Sequence, residues 1–522
     1  MENETLKDLL ARRAEETPDR VILKDERVSY TWQYVEKASW IVAEELSKIG
    51  VKSGTHVGIC GENSVGWLLT FFAAQKLGAL VMLMNPKQTA EEIGKVCVTG
   101  DITCLCYGKI SSMEHAEDFL AEVRGVEGCR IENVYSFREP VDYTARLVEY
   151  EGIRDRLDQW MDPDAPGVVL FTSGSTGRPR GVILSHYNLV NAAMVQVDLM
   201  HMTEQDRELL IVPLFHILGL VVCLYPCLLV NVPLFLPDDI HSATVIRIMQ
   251  KEKCTLMHSV PTMILTLLNN RDFSPEALES LRCTYLAGAA AGEAQLRMFM
   301  EKMPRNHFMI AYGLSEMAPV SVTLYGDTEE HLLHTVGRPV KNIRVRILDR
   351  KTKEECTTGE TGEILVQGYN LMAGYYKLPL EDQIIDDEGW LHTGDMGQID
   401  TDGYLHFLGR YKELIIRGGE NIMPSEVETA VSALEGVDQV KVVGVPDAFF
   451  GEAVAACIRL LPGVTWDEER ARESLSKTLA RFKIPKWFLL YEDFPMLGSG
   501  KIDGVALGRD ARQRVEQIVN HL

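Results

Sequence analysis

The apolar pattern changes period along the chain, and those changes mark out the elements. Residues 56–63, "HVGICGEN", alternate and then break at a glycine, which predicts a strand and a tight turn. Residues 64–79, "SVGWLLTFFAAQKLGA", are apolar on every side, as in a helix buried all round. Residues 80–86, "LVMLMNP", predict the next strand. The alternation predicts helices covering a parallel sheet. Farther on, "GVVLFT" (167–172) and "RGVILS" (180–185) predict two strands on either side of a polar loop, with "MDPDAPG" (161–167) as a turn-rich connector before them.

The longest apolar run, residues 209–236, carries no formal charge and is long enough to span a bilayer. Pro213, Pro226 and Pro233 interrupt it, and His216 and Asn231 would need polar partners. A strand, a helix and a second strand inside an α/β core account for it better, so no transmembrane segment is expected. Near the C-terminus, "PSEVETAVSALEG" (424–436) predicts a helix with a capping box from Ser425 to Glu428. Its apolar positions are Val427, Ala430, Val431 and Leu434, and Gly436 is the stop. Residues 439–445 and 453–461 read as strands and 466–482 as another helix. The expected fold class is therefore α/β. A large N-terminal domain of α/β layers (1–408) precedes a smaller α+β C-terminal domain (409–522), with the boundary near residues 409–412.

Composition narrows the picture. A length of 522 residues calls for more than one core, and 46% apolar with 25% charged residues is the balance of an ordinary globular protein. The formal charge of −22 with no basic block excludes a sequence-independent grip on nucleic acid. The eleven cysteines are scattered without a Cys-x-x-Cys. Cys104 and Cys106 are too close for zinc-knuckle spacing, and Cys223 and Cys227 lie in an apolar run. All eleven are expected to be reduced, in a cytoplasmic protein. The first twenty residues alternate acids and bases, unlike a secretory signal.

The polar loop is "FTSGSTGRPRGVILSH" (171–186). Because it joins two strands and lacks Gly-x-x-x-x-Gly-Lys-Ser/Thr, it is not a Walker phosphate loop. No Gly-x-Gly-x-x-Gly follows a strand either. It offers the amides of Gly174 and Gly177, the hydroxyls of Thr172, Ser173, Ser175 and Thr176, and the guanidinium of Arg180, a set suited to phosphate oxygens. A Gly/Ser surface hairpin has the same composition.

Other motifs decide between these readings. "TSGSTGRPRGV" is followed in order by "VPLFHILGL" (212–220), "AYGLSEMAP" (311–319) and the long stretch 389–428 containing "HTGD", "LGRYKE" and "RGGEN". "GVPDAFFGE" (444–452) and "GSGKID" (498–503) complete the series. Together they resemble the adenylate-forming superfamily, whose members include acyl-CoA synthetases, over nearly the whole chain. The resemblance implies attack of a carboxylate on the α-phosphorus of ATP, then transfer of the acyl group to coenzyme A. The C-terminal domain is then mobile, turning about a hinge at Lys412.

The resemblance also assigns roles. Glu316 matches the Mg2+ ligand, with Ser315 where a threonine is usual. Tyr312, with Gly313 beside it, matches the adenine-stacking position, and Gly288 and Ala289 in "LAGAAAGE" the backbone lining the base. Asp395 matches the acceptor of the ribose hydroxyls and Arg410 a ribose and phosphate contact. Lys501 matches the lysine bridging carboxylate and α-phosphate. Gly418 and Gly419 match the loop approached by the pantetheine arm. Arg180 stands where lysine is usual and keeps the charge with altered geometry. His216 matches a gate beside the carboxylate.

No acidic residue near 212–226 is available to pair with an amine, so an amino acid substrate is disfavoured. Residues 258–270 and 332–340 resemble pocket-lining segments. The substrate implied is a hydrophobic carboxylic acid: a medium- or long-chain fatty acid, or an aryl acid. Three alternatives stay open: an acyl-AMP ligase loading a carrier protein in trans, a luciferase-like oxygenase, and a non-catalytic acyl or nucleotide sensor. A homo-oligomer is compatible with all of them.

Overall fold

The computed structural model describes residues 2–111, 113–172, 180–289, 291–379, 383–418, 420–447, 449–497 and 501–521. Ser173, Gly174, Ser175, Thr176, Gly177 and Gly419, all assigned above, lie outside the described residues.

The predicted alternation is present. His56–Cys60, Leu80–Met84, Cys104–Tyr107, Asn133–Ser136 and Pro166–Thr172 run parallel in one seven-stranded sheet; Arg180–Ser185 returns antiparallel beside Pro166–Thr172, and Gly374–Tyr375 closes that edge. The apolar-all-round segment forms helix Val65–Lys76, which buries Trp67, Phe71 and Phe72 completely. It packs on helix Trp32–Lys48, where Lys76 Nζ and Glu36 Oε2 meet at 2.6 Å in the interior.

A nine-stranded mixed sheet forms the second layer. Leu256–Ser259, Cys283–Leu286 and His307–Leu314 run parallel at its centre, and Met317–Val322 turns back antiparallel from the last of these. The run 209–236 folds inside this layer. It starts from strand Glu208–Leu209, passes through a widely wound helical stretch Leu218–Leu224 and helix Tyr225–Leu229, and ends on strand Leu234–Phe235. Asn231 finds its polar partner, since Trp32 Nε1 donates to Asn231 Oδ1 at 2.9 Å. No helix among the described residues is long and apolar enough to cross a membrane.

A four-stranded antiparallel sheet, Ile343–Leu348, Gly362–Gly368, Leu391–Ile399 and Leu405–Arg410, follows. A single turn, Tyr411–Glu413, joins it to the smaller C-terminal domain. There Glu420–Ile422, Ile415–Arg417, Gly451–Leu460, Val437–Asp447 and Trp487–Leu490 make one sheet with apolar clusters on both faces.

Two local expectations need correction. Helix Pro424–Ser432 has no capping box: Ser425 Oγ donates instead to Leu408 O at 2.6 Å, and Glu428 Oε1 accepts from Val442 N and pairs with Lys441. Tertiary partners outcompete the local cap. The helix expected over 466–482 covers only Glu468–Leu475, because past that point Ser476 and Thr478 hydroxyls turn back onto Glu473 and Leu475 carbonyls.

Candidate active site

Three sheets and the C-terminal domain converge at one place. The parallel strands Cys283–Leu286 and His307–Leu314 deliver Gly288 and Tyr312 at their carboxyl ends, the usual location for a site in such sheets. Gly288 takes the left-handed conformation, φ +84°. Tyr312 is buried and its ring tilts against Phe407, 5.6 Å between centroids. Ala289 and Gly313 lie exposed at the same rim.

Asp395 comes from strand Leu391–Ile399 and is cross-strand partner of Arg410. It is 1% exposed. Its Oδ2 accepts the Tyr312 hydroxyl at 2.7 Å. Arg410 Nε lies 3.0 Å from Oδ1 as an ion pair, yet out of line with its N–H, so the buried Oδ1 accepts no hydrogen bond within the protein. Burial pushes this carboxyl above its ordinary value, against the opposing pull of Arg410 and of the Tyr312 hydroxyl. A buried carboxylate oxygen with lone pairs to spare is an acceptor built for hydroxyl donors.

Ser315 and Glu316 form the two-residue turn between His307–Leu314 and Met317–Val322, where Leu314 pairs with Met317. The Tyr375 hydroxyl donates to Glu316 Oε1 at 2.6 Å, and Arg180 sits over the Tyr375 ring at 5.3 Å. Arg180 opens its strand directly opposite Thr172, whose hydroxyl donates to Arg180 O at 3.4 Å. The expected strand–loop–strand arrangement is thus a hairpin, with Thr172 and Arg180 at the two ends of residues 173–179.

Lys501 enters from the C-terminal domain. Met496 bridges to Ile502, and Leu497 N donates to Lys501 O at 2.6 Å, which fixes the backbone that carries it. Its side chain lies along Gly288: a Cβ there would stand 3.0 Å from Lys501 Cε and 3.4 Å from Nζ. A side chain at this position would press on the end of the lysine, and the left-handed backbone already favours glycine there. Burial, and then the charge of Arg410, lower this ammonium to about 8. His216 lies in the same field, and burial followed by the Lys501 charge lowers it to about 3, so its imidazole is neutral. Arg410 remains firmly cationic: burial opposes its charge, but Asp395, Glu413, Tyr312 and Glu316 together more than compensate.

Lys501, Gly288, His216, Arg410, Asp395 and Tyr312 thus share one cleft, with Glu316, Ser315 and Arg180 beside them. Gly418 does not join them. It sits at φ +61° in the hairpin of Ile415–Arg417 and Glu420–Ile422, with its N–H on Phe450 O at 2.8 Å.

Sequence reasoning passed over three supporting residues. Tyr375 reaches Glu316 across 59 positions, Phe407 backs Tyr312, and Asn63 holds the segment before His216 by bonds to Val212 O (2.9 Å) and Leu214 N (3.0 Å). No local pattern announces any of them, although Asn63 follows the glycine turn that the strand pattern did locate.

Comparisons with known proteins identify the family. The profile described as AMP-binding enzyme matches residues 10–376, and that of the AMP-binding enzyme C-terminal domain matches 426–501. The chain is 32% identical to "Putative acyl-CoA synthetase YngI" of Bacillus subtilis (strain 168) over 95% of each chain. It is 29% identical to "Medium-chain acyl-CoA ligase ACSF2, mitochondrial" of Homo sapiens, covering all of this chain and 89% of that one. Among solved structures, ATP-bound MatB from Rhodopseudomonas palustris superposes with a TM-score of 0.87 at 26% identity, over 97% of this chain and 99% of that one. The apo form of MatB gives 0.75 at 25% identity over the same shares. The chain belongs to the AMP-binding enzyme family, among its AMP-forming acyl-CoA synthetases.

Proposed function

We propose that the cleft condenses ATP with a hydrophobic carboxylic acid and passes the acyl group to coenzyme A. In the first half-reaction an oxygen of the carboxylate attacks the α-phosphorus while the bond to the bridging oxygen breaks, and pyrophosphate leaves with the electron pair. In the second, the thiol sulfur attacks the acyl carbon, AMP departs, and the thiol proton is lost to solvent.

Two anions must meet in the first step, so the positive groups carry it. Lys501 bridges carboxylate and α-phosphate, and Arg410 holds the ribose and phosphate. Arg180, Thr172 and the loop 173–177 embrace the remaining phosphates. Asp395 accepts the ribose hydroxyls on its free oxygen, Tyr312 flanks the base with Gly313, and Gly288 and Ala289 line it. His216, neutral beside Lys501, borders the carboxylate without competing for charge. Glu316, with Ser315 next to it, presents oxygen donors only, which suits Mg2+. When bound, that ion neutralises phosphate charge. The second half-reaction uses another face, with Gly418 and Gly419 at the thiol's approach, reached by rotation about Lys412.

One observation carries this reading: a lysine of the C-terminal domain rests on a glycine of the N-terminal domain, in the field of His216 and Arg410. The better superposition on an ATP-bound relative than on its apo form supports the same arrangement. The acyl class rests on the uncharged run after His216 and on the named relatives. The test is exchange of labelled pyrophosphate into ATP across a panel of fatty and aryl acids. Exchange that depends on a hydrophobic acid is expected; none with any acid overturns the proposal.

A further inference from the structure

Behind the cleft floor lies a second polar cluster that the reaction does not use. Glu208, Cys223 and His258 each offer a ligand atom within 4.8 Å of the other two, and all three are buried. They come from three segments: strand Glu208–Leu209, the helical stretch Leu218–Leu224 and strand Leu256–Ser259. His258 Nδ1 stands 3.2 Å from Glu208 Oε1, and both side chains are 0% exposed. Glu208 Oε2 and His258 Nε2 have no hydrogen-bond partner.

A carboxylate oxygen and an imidazole nitrogen left bare in an apolar core are costly. Such atoms normally have a partner. We infer that Glu208, Cys223 and His258 bind a divalent transition ion of the zinc class. Three features select it. The donors are a carboxylate, a thiolate and an imidazole, the set that borderline-soft ions prefer. With the thiol deprotonated, one carboxylate and one thiolate carry two negative charges, which balance a dication and leave the core neutral. The separations lie within about 1 Å of the ~3.3–3.8 Å that a tetrahedral ion imposes on its ligands. Among the described residues this is the one place where three such donors converge.

A site closed to solvent takes up its ion as the chain folds. The ion's role is therefore structural. It ties together the helical stretch Leu218–Leu224, just past His216, and the strand leading to Val260, whose side chain faces Gly288. This inference does not rest on the proposed reaction.

The test uses the full chain expressed in zinc-supplemented medium and purified without chelator. Elemental analysis is expected to find about one zinc per chain. Protein produced with cobalt should show the absorption of tetrahedral cobalt with a thiolate-to-metal charge-transfer band. Cys223→Ser should remove that band, and His258→Ala should reduce metal content at least tenfold. Metal-free protein from both media overturns the proposal and leaves a buried Glu–His ion pair with a neutral thiol. Metal retained in a Cys223→Ala/His258→Ala double variant overturns it as well. Should the variants fail to fold, the cobalt spectrum of the unsubstituted protein decides alone: no thiolate band, no site.

Discussion

Arg410 and Lys501 bring positive charge to the same cleft by opposite means. Arg410 is anchored where it stands: its strand is in register with that of Asp395, and the buried carboxylate holds its guanidinium. Among the described residues no carboxylate offsets the cost of burying Lys501, which is carried by the C-terminal domain. Burial and a neighbouring cation both act against its charge, so the ammonium is held poised for an anion. A fixed cation can bind nucleotide in every state of the enzyme. A delivered one can act in one half-reaction and be absent from the other.

The largest expected effect breaks this contrast at the side of the C-terminal domain. Lys501→Ala should slow adenylate formation by about 10²–10³-fold, the usual loss for one donor at a developing anion. Conversion of a supplied acyl-adenylate to the thioester should change little. Equal losses in both half-reactions, measured in single turnovers, would remove the distinction. The fixed side comes next. Asp395→Asn replaces an acceptor-only group with one that is half donor and leaves Arg410 unpaired. It should lower kcat/KM for ATP by about 10–100-fold, from roughly 1–3 kcal/mol of lost bonding. Both half-reactions should suffer, since AMP is held throughout.

A pH profile sharpens the comparison further. With Lys501 lowered to about 8, the ammonium is present below that pH and lost above it. The kcat/KM for adenylate formation, which reports the free enzyme, should therefore fall as pH rises through about 8. Lys501→Arg should move that falling limb upward, because guanidinium does not deprotonate in this range. An unmoved limb would assign the titration to another group. The smallest effect is at Tyr375. Removing its hydroxyl by Tyr375→Phe costs Glu316 a neighbour and should lower activity several-fold, in line with about 0.5–1.5 kcal/mol for one hydrogen bond. The loss should shrink at high magnesium concentration if Glu316 acts through that ion.

Much of this is legible in the sequence alone, for a physical reason. A polar loop between two strands is written in consecutive glycines and hydroxyls, and a helix buried all round shows no polar stripe. Both signals are local. The hairpin ended by Thr172 and Arg180, the buried helix Val65–Lys76 and the strands around it could therefore be placed from the sequence. The capping box at Ser425 misled because it too is a local signal, and there Leu408 and Val442 offered better partners.

The sequence by itself determined the order of elements, the nucleotide-directed motifs and the family they resemble, because each is encoded in short runs whose chemistry does not depend on distant neighbours. Tertiary structure alone decided which charges meet. The Tyr375–Glu316 contact, the course of Lys501 over Gly288 and the meeting of Glu208, Cys223 and His258 in one dry core all join residues far apart in the chain. Such pairings arise when sheets stack and a domain docks, and no periodicity along the backbone records them.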